Sequence, residues 1–386
     1  MFEQRRLSLA DIVIGEPLPW DVFGEGNKLL LRRGQVVQNV RQVESLLARG
    51  LFIDAGQADR AAQAKREERE RATAKLVEQP SALRFVNLSI KRLERLLYNL
   101  ANEPDVQSKV LEVVKALNYA ATINADITLA CVLLNQGAAS YAVRHCVDTA
   151  LLALQVAQAM KKPQEEIDAI MAACLTMNVS KLRQHDQYQA RAEPLAGRDV
   201  EVVRNHAAES VRLLQQMGVT NPLWLEYVRL HHELDSTAIS ASGQPITDIP
   251  QNAKIVTLAD RYCAAVSSRK YRKTLTPAAA LRDVFVGNGK PSDPMLAALF
   301  IKELGTYPPG SMVRLQCGEI GVVTRRGKSG ATPVVHALIG PRGAPLSFPI
   351  QRDTTKELYA VREAVPNELS AVRFSMQQLW GNEAAL

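Results

Sequence analysis

Six histidines and one aspartate carry most of the chemistry that this sequence offers. The histidines are His145, His185, His206, His231, His232 and His336. His145 sits inside the apolar run 141–160, and His206 follows Arg204 and Asn205 at the start of another helical stretch. His231 and His232 close the stretch 224–230, and Asp260 lies in the apolar helical run 255–260. Imidazoles and a carboxylate carried by several helices are the raw material of a metal site in a bundle. Singly, each has an ordinary structural reading: a lone core histidine usually bonds a nearby carbonyl, and an acid on a helix is often paired or exposed. Their order and spacing together argue for one site.

In that order the residues resemble the HD-GYP family of cyclic-di-GMP phosphodiesterases, a bacterial signalling family. His145, in the run RHCVDTALLALQVA, looks like the first metal-ligand histidine of that family. His206 in RNHAAES matches the histidine of its His-Pro element, and His231-His232-Glu233 matches its double histidine. Asp260 in TLADRY matches its later ligand aspartate. The segment LGTYPPGSMVRLQCGEIGVV at 304–323 resembles the stretch that closes such domains, and the likeness covers about residues 122–326. The resemblance implies an HD-type helical bundle. In an intact member, Fe or Mn ions position a bridging hydroxide that attacks the phosphodiester while the metals stabilise the phosphate oxygens.

The chain departs from the pattern at two places. In the same register, Met177-Asn178 stands where the family has its His-Asp pair. Asn178 has the shape of aspartate without its charge, and Met177 offers a soft thioether unsuited to Fe or Mn. Ser180-Lys181 stands for the family's Gly-Lys, so Lys181 survives as a group able to meet a phosphate. His185-Asp186 is a literal His-Asp pair eight residues later, which a helix would turn by about 80° and carry about 12 Å along its axis. It is therefore expected to be a loop or surface pair. The family's Gly-Tyr-Pro loop reads ELDSTAISASGQPITD at 233–248, and the tyrosine is missing in either alignment.

These departures predict a degenerate, non-hydrolysing signalling protein that binds a cyclic dinucleotide or a protein partner. Its residual metal ligands would be His145, His206, His231, His232 and Asp260, an incomplete set, with Lys181, His231 and His232 facing the ligand. The alternatives are an active cyclic-di-GMP phosphodiesterase with a remodelled site, in which Lys181 assists and Fe or Mn is bound, and a metal-free helical scaffold for protein contacts.

The elements that must position these residues are mainly α. The first 57 residues read as a small mixed α/β module, with β-prone runs 28–31 and 35–37 about the turn Arg33-Gly34, a helix over 40–49 capped by Gly50, and a strand at 51–53. Residues 58–80 alternate in charge without glycine and predict an exposed linker helix that could pair with its copy in a homodimer. A helical lead-in covers 81–121 and the HD-GYP-like helical domain 122–310. Residues 311–386 predict a small β module and tail, with β-prone runs at 312–315, 320–324, 334–339 and 358–361.

Composition sets the outer bounds. Hydrophobic residues make up 47% of the 386, which excludes a disordered chain. No apolar run is long enough to span a bilayer, and the charged start excludes a signal peptide, so the expected place is the cytoplasm without a membrane partner. The net charge of +7 permits an acidic partner, but the basic residues look scattered and no Lys/Arg block interleaved with aromatics stands out. Cys131, Cys146, Cys174, Cys263 and Cys317 are far apart and read as small buried hydrophobes.

Overall fold

The computed structural model describes residues 4–8, 11–12, 15–49, 51–56, 59–60, 63, 80–134, 139–191, 193–233, 249–267, 274–286, 293–327, 330–366 and 373–386. The chain forms two compact units, Met1–Gln79 and Pro80–Leu386. Of the expected linker helix, residues 64–79 lie outside the described residues, as does Gly50.

The first unit holds strands β1 (Gln4–Arg6), β2 (Val22–Gly24), β3 (Lys28–Leu31) and β4 (Phe52–Asp54) in the antiparallel order β1-β4-β2-β3. Helix α1 (Val40–Ala48) starts at Asn39, whose side chain accepts the Gln42 N–H. Trp20, Val22, Val43 and Ile53 are in its small core. The run 35–37 is not a strand: Val36 makes only an isolated bridge to Pro17, and β3 pairs instead with β2. The hairpin turn is thus Glu25–Asn27, not Arg33-Gly34; Gly34, at φ +89°, turns the chain back toward Leu18.

The second unit is a helical bundle with a five-stranded sheet attached. Its helices are α2 (Ala82–Tyr98), α3 (Val106–Ile123), α4 (Ala125–Leu134), α5 (Tyr141–Ala159), α6 (Gln164–Thr176), α7 (Leu182–Ala190), α8 (Arg198–Gln216), α9 (Pro222–Leu230), α10 (Gln251–Val266), α11 (Pro277–Leu281) and α12 (Pro294–Leu304). Their starts follow from local chemistry. Ser81, Asp105, Ser140, Asn221, Thr276 and Asp293 each accept a free N–H of the first turn, and α9, α11 and α12 begin with proline. Helix α5 is buried from Tyr141 through Ala157, so it is the axle around which α4, α6 and α10 pack. Four of the five cysteines are buried, all five are free, and burial pushes the Cys146 thiol up to about 12.

Strands β5 (Met312–Leu315), β6 (Ile320–Arg325), β7 (Val334–Ile339), β8 (Pro345–Asp353) and β9 (Val361–Ala364) make an antiparallel sheet in the order β8-β7-β6-β5-β9. The sequence pattern missed β8, whose apolar residues do not alternate cleanly, and the short helix α13 (Met376–Trp380). Residues 358–361 are mostly a 3-10 turn, Glu357–Tyr359, and the strand begins only at Val361. Sheet and bundle are tied by Arg326 donating to Asp126 at 2.6 Å, and Ser81 donating to the Ala385 carbonyl at 2.6 Å. No single described helix is long and apolar enough to cross a membrane; α3 and α4 would pass together, but they are bent by 111° and contribute to the core.

The turn Tyr307-Pro308-Pro309-Gly310 lies on α4. Gly310 has φ +90°, and a Cβ there would meet Ala130 Cα and O at 3.0 Å and Leu133 Cβ at 3.2 Å. Both the left-handed backbone and the close approach require glycine. Gly310→Ala should therefore lower the unfolding free energy by at least about 1–2 kcal/mol, the cost of the left-handed region alone. Urea denaturation followed by circular dichroism measures it, and an unchanged midpoint would show that the turn is not held against α4.

Candidate metal and ligand site

Three histidines meet where α8, α9 and the turn after α9 come together. Helix α8 buries His206, Ser210 and Leu214, one residue per turn along a single face. The expectation that His206 opens a helix is corrected: it lies in the middle of α8, because the helix already begins at Arg198. Ser180 fastens that face to the 3-10 turn Val179–Lys181. Its hydroxyl donates to the His206 carbonyl at 2.9 Å, and its N–H meets Ser210 Oγ at 3.2 Å. Helix α9 is fixed by Trp224, whose indole N–H donates to Thr176 Oγ1 at 2.8 Å. His231 caps the C-terminus of α9, and His232 follows it.

The tautomers follow from the backbone. His206 Nδ1 lies 2.6 Å from the Val203 carbonyl and His231 Nδ1 2.7 Å from the Val228 carbonyl. A carbonyl only accepts, so each Nδ1 carries the proton and each Nε2 keeps its lone pair. The two Nε2 atoms stand 3.0 Å apart, and His232 Nε2 lies 3.2 Å from that of His206. All three fall within 4.8 Å of one another. Burial pushes His206 down to about 3, helped by the Lys181 charge and by His232. Burial, then His232 and His206, also lowers His231, and burial lowers His232. Neutral imidazoles with facing lone pairs repel unless a cation lies between them. Metal–nitrogen bonds of about 2.0–2.1 Å at tetrahedral or octahedral angles place ligand nitrogens about 2.9–3.4 Å apart. The 3.0 and 3.2 Å separations from His206 fit that range, and the backbone-bonded Nδ1–H groups are the usual support of metal-binding histidines. The residues therefore fit one ion. His232 is the exposed member, so the site opens to solvent.

The other expected ligands pair with each other. His145 Nε2 donates to Asp260 Oδ1 at 2.8 Å, and Asp260 is not part of the three-histidine group. Burial alone would raise Asp260, but the hydrogen bond from His145 holds its carboxyl below the usual range. Met177 is fully buried in the apolar core at the end of α6. Asn178 is buried, and its side chain hydrogen-bonds Cys146. Lys181 is also buried and close enough for its charge to act on His206 and His232.

Two expectations change. His185-Asp186 is not a loop or surface pair: it lies within α7, with His185 buried against Tyr141 and His145. The expectation assumed one continuous helix, but α6 ends at Thr176, a 3-10 turn follows, and α7 starts anew at Leu182 and packs on α5, which turns the pair inward. Residues 269–273 read Arg-Lys-Tyr-Arg-Lys, a basic block around an aromatic directly after α10 that the charge pattern contains after all. That block and the altered loop 234–248 lie outside the described residues.

The depressed histidines make a pH prediction. His206 binds its proton near 3 when folded and near its ordinary 6.5 when unfolded. Between those values the unfolded chain holds more protons, so stability falls as pH drops from about 6.5 toward 3. In chelator, the melting temperature of the wild-type chain should fall over that window, and His206→Gln should flatten the slope. Equal slopes would mean that His206 is not buried as a neutral ring.

Comparison with known proteins follows the same residues. Residues 142–265, from the first turn of α5 to the end of α10, match the HD domain family. The chain is 28% identical over 207 residues to the cyclic di-GMP phosphodiesterase PA4108 of Pseudomonas aeruginosa, over 52% of this chain and 49% of that protein. It thus spans about half the length of that relative. A solved structure of Bd1817, an HDG"Y"P protein from Bdellovibrio bacteriovorus, aligns with a TM-score of 0.43 and 13% identity over 77% of this chain and 98% of its own. The helices that carry the histidines are thus similar to an HD domain, and the chain is distantly related to a cyclic di-GMP phosphodiesterase.

Proposed function

We propose that the chain is a signalling module of the HD-GYP type that binds a cyclic dinucleotide, best matched by cyclic di-GMP, without hydrolysing it. The observation that carries this is the pair Met177-Asn178: one side chain is spent in the apolar core and the other on Cys146, and among the described residues no carboxylate joins the three-histidine group. Two-metal hydrolysis needs a charged bridge to hold both ions and the attacking hydroxide. An amide bridges hard cations poorly.

His206, His231 and His232 would hold one ion, which when bound supplies positive charge to a phosphate oxygen. Lys181 and the solvent-facing His232 bring the chain's own groups to the same phosphate. Lys181, already buried, offers a charge-assisted hydrogen bond worth about 1.5–3 kcal/mol. Binding needs only a cation and Lys181 at the site; turnover needs the missing carboxylate. The relationship to PA4108 supports the choice of cyclic di-GMP. The alternative protein partner has no comparable feature among the described residues.

Calorimetric titration of the full chain with cyclic di-GMP, with product followed by chromatography in added Mn or Fe, should give binding with no product. Lys181→Met should weaken binding by about 10-fold or more. The double change Met177→His with Asn178→Asp should raise the metal content above that of the wild type and allow slow turnover. Linear product formation by the wild-type chain would replace this reading with that of an active phosphodiesterase, and absence of binding by a metal-loaded sample would remove the nucleotide.

A further inference from the structure

Helix α7 gives no residue to the three-histidine group, yet it packs on the neighbouring pair. Tyr141 lies nearly flat on His145, with ring centres 5.6 Å apart and planes at 20°. His185 stands edge-on to both rings, 5.2 Å from Tyr141 at 83° and 5.6 Å from His145 at 86°. Such edge-to-face contacts favour one relative orientation of the rings. Asp186 anchors the arrangement. One carboxylate oxygen accepts the Ala142 N–H at 2.9 Å in the first turn of α5, and the other accepts the Tyr98 hydroxyl at 2.6 Å. A carboxylate at a helix N-terminus is favoured by the unpaired N–H groups and the helix dipole. Asp186 therefore pins α7 to α5, and the preceding residue, His185, is pressed against His145.

His145 needs such support. Its ring is 2% exposed, Nε2 donates to Asp260 at 2.8 Å, and Nδ1 has no hydrogen-bond partner. Rotation about the second side-chain torsion of histidine is broad and roughly two-fold. One hydrogen bond and two ring contacts thus define the orientation. We propose that His185 and Asp186 are a positioning pair for His145: they keep its Nε2 turned to Asp260, and so keep the Asp260 carboxylate committed to His145 rather than to the three histidines. The pair keeps the three-histidine group all-imidazole by holding the Asp260 carboxylate on His145.

The test uses the full chain, labelled with 15N at its six histidines and freed of metal by chelator. The buried Nε2–H of His145 should give a downfield, slowly exchanging proton signal, assigned by its loss in His145→Gln. His185→Ala should abolish that signal or speed its exchange at least ten-fold while circular dichroism stays unchanged. His185→Phe should restore it, because the contact uses the ring edge and not a ring nitrogen. Asp186→Ala should act like His185→Ala, whereas Asp186→Asn, which still accepts the Ala142 N–H, should retain the signal. If His185→Ala does not fold, Asp186→Ala and His185→Phe carry the test. Wild-type exchange in Asp186→Ala and in any folded His185→Ala chain, or loss of the signal in His185→Phe, would overturn the proposal. The signal is read without ligand, so this outcome is separate from whether a cyclic dinucleotide binds.

Discussion

His206 and His231 bring two unprotonated ring nitrogens to 3.0 Å in a buried place, and the structure around them is arranged to keep them there. Left alone, two lone pairs at that distance repel. The approach is sustained by the carbonyls of Val203 and Val228, which fix each ring by its other nitrogen, and by the docking of the helices that carry them. Ser180 and Ser210 hold α8 to the turn after α6, and Trp224 holds α9 to the end of α6. Burial keeps both rings neutral. Neutral, fixed and convergent imidazoles have the properties of a cation site, and the three-residue group is the consequence of that packing.

What surrounds this group sets its chemistry. The nearby acid, Asp260, carries its charge but spends it on His145. The residue placed where a second acid would stand, Asn178, is neutral and turned to a thiol. Lys181 contributes a cation in the same neighbourhood. Lys181 and the three imidazoles are thus left without a bridging carboxylate among the described residues.

The helical unit was legible because its pattern is redundant. Helix α5 is apolar on nearly all sides, and the caps and prolines that start α9, α11 and α12 are local signals. The small β elements were less legible. Strand β8 carries Pro345, Ser347, Phe348 and Pro349 with no clean alternation, since it lies at a sheet edge and needs no fully buried face. In the first unit, β3 chose β2 over the run after Gly34, a matter of which strands meet, not of their propensities.

The sequence by itself determined the cast on offer: His145, His206, His231, His232 and Asp260 in order, a lysine at 181 and an amide at 178. Residue type fixes charge and ligand softness, and these need no coordinates. Only the tertiary structure decided how the cast divides. Helix rotation and packing brought three imidazoles together, gave Asp260 to His145, and turned His185-Asp186 inward against α5 rather than out to water. Pairing of that kind depends on distances between helices far apart in the chain, and those distances are set by the packing of the whole core, not by any one segment.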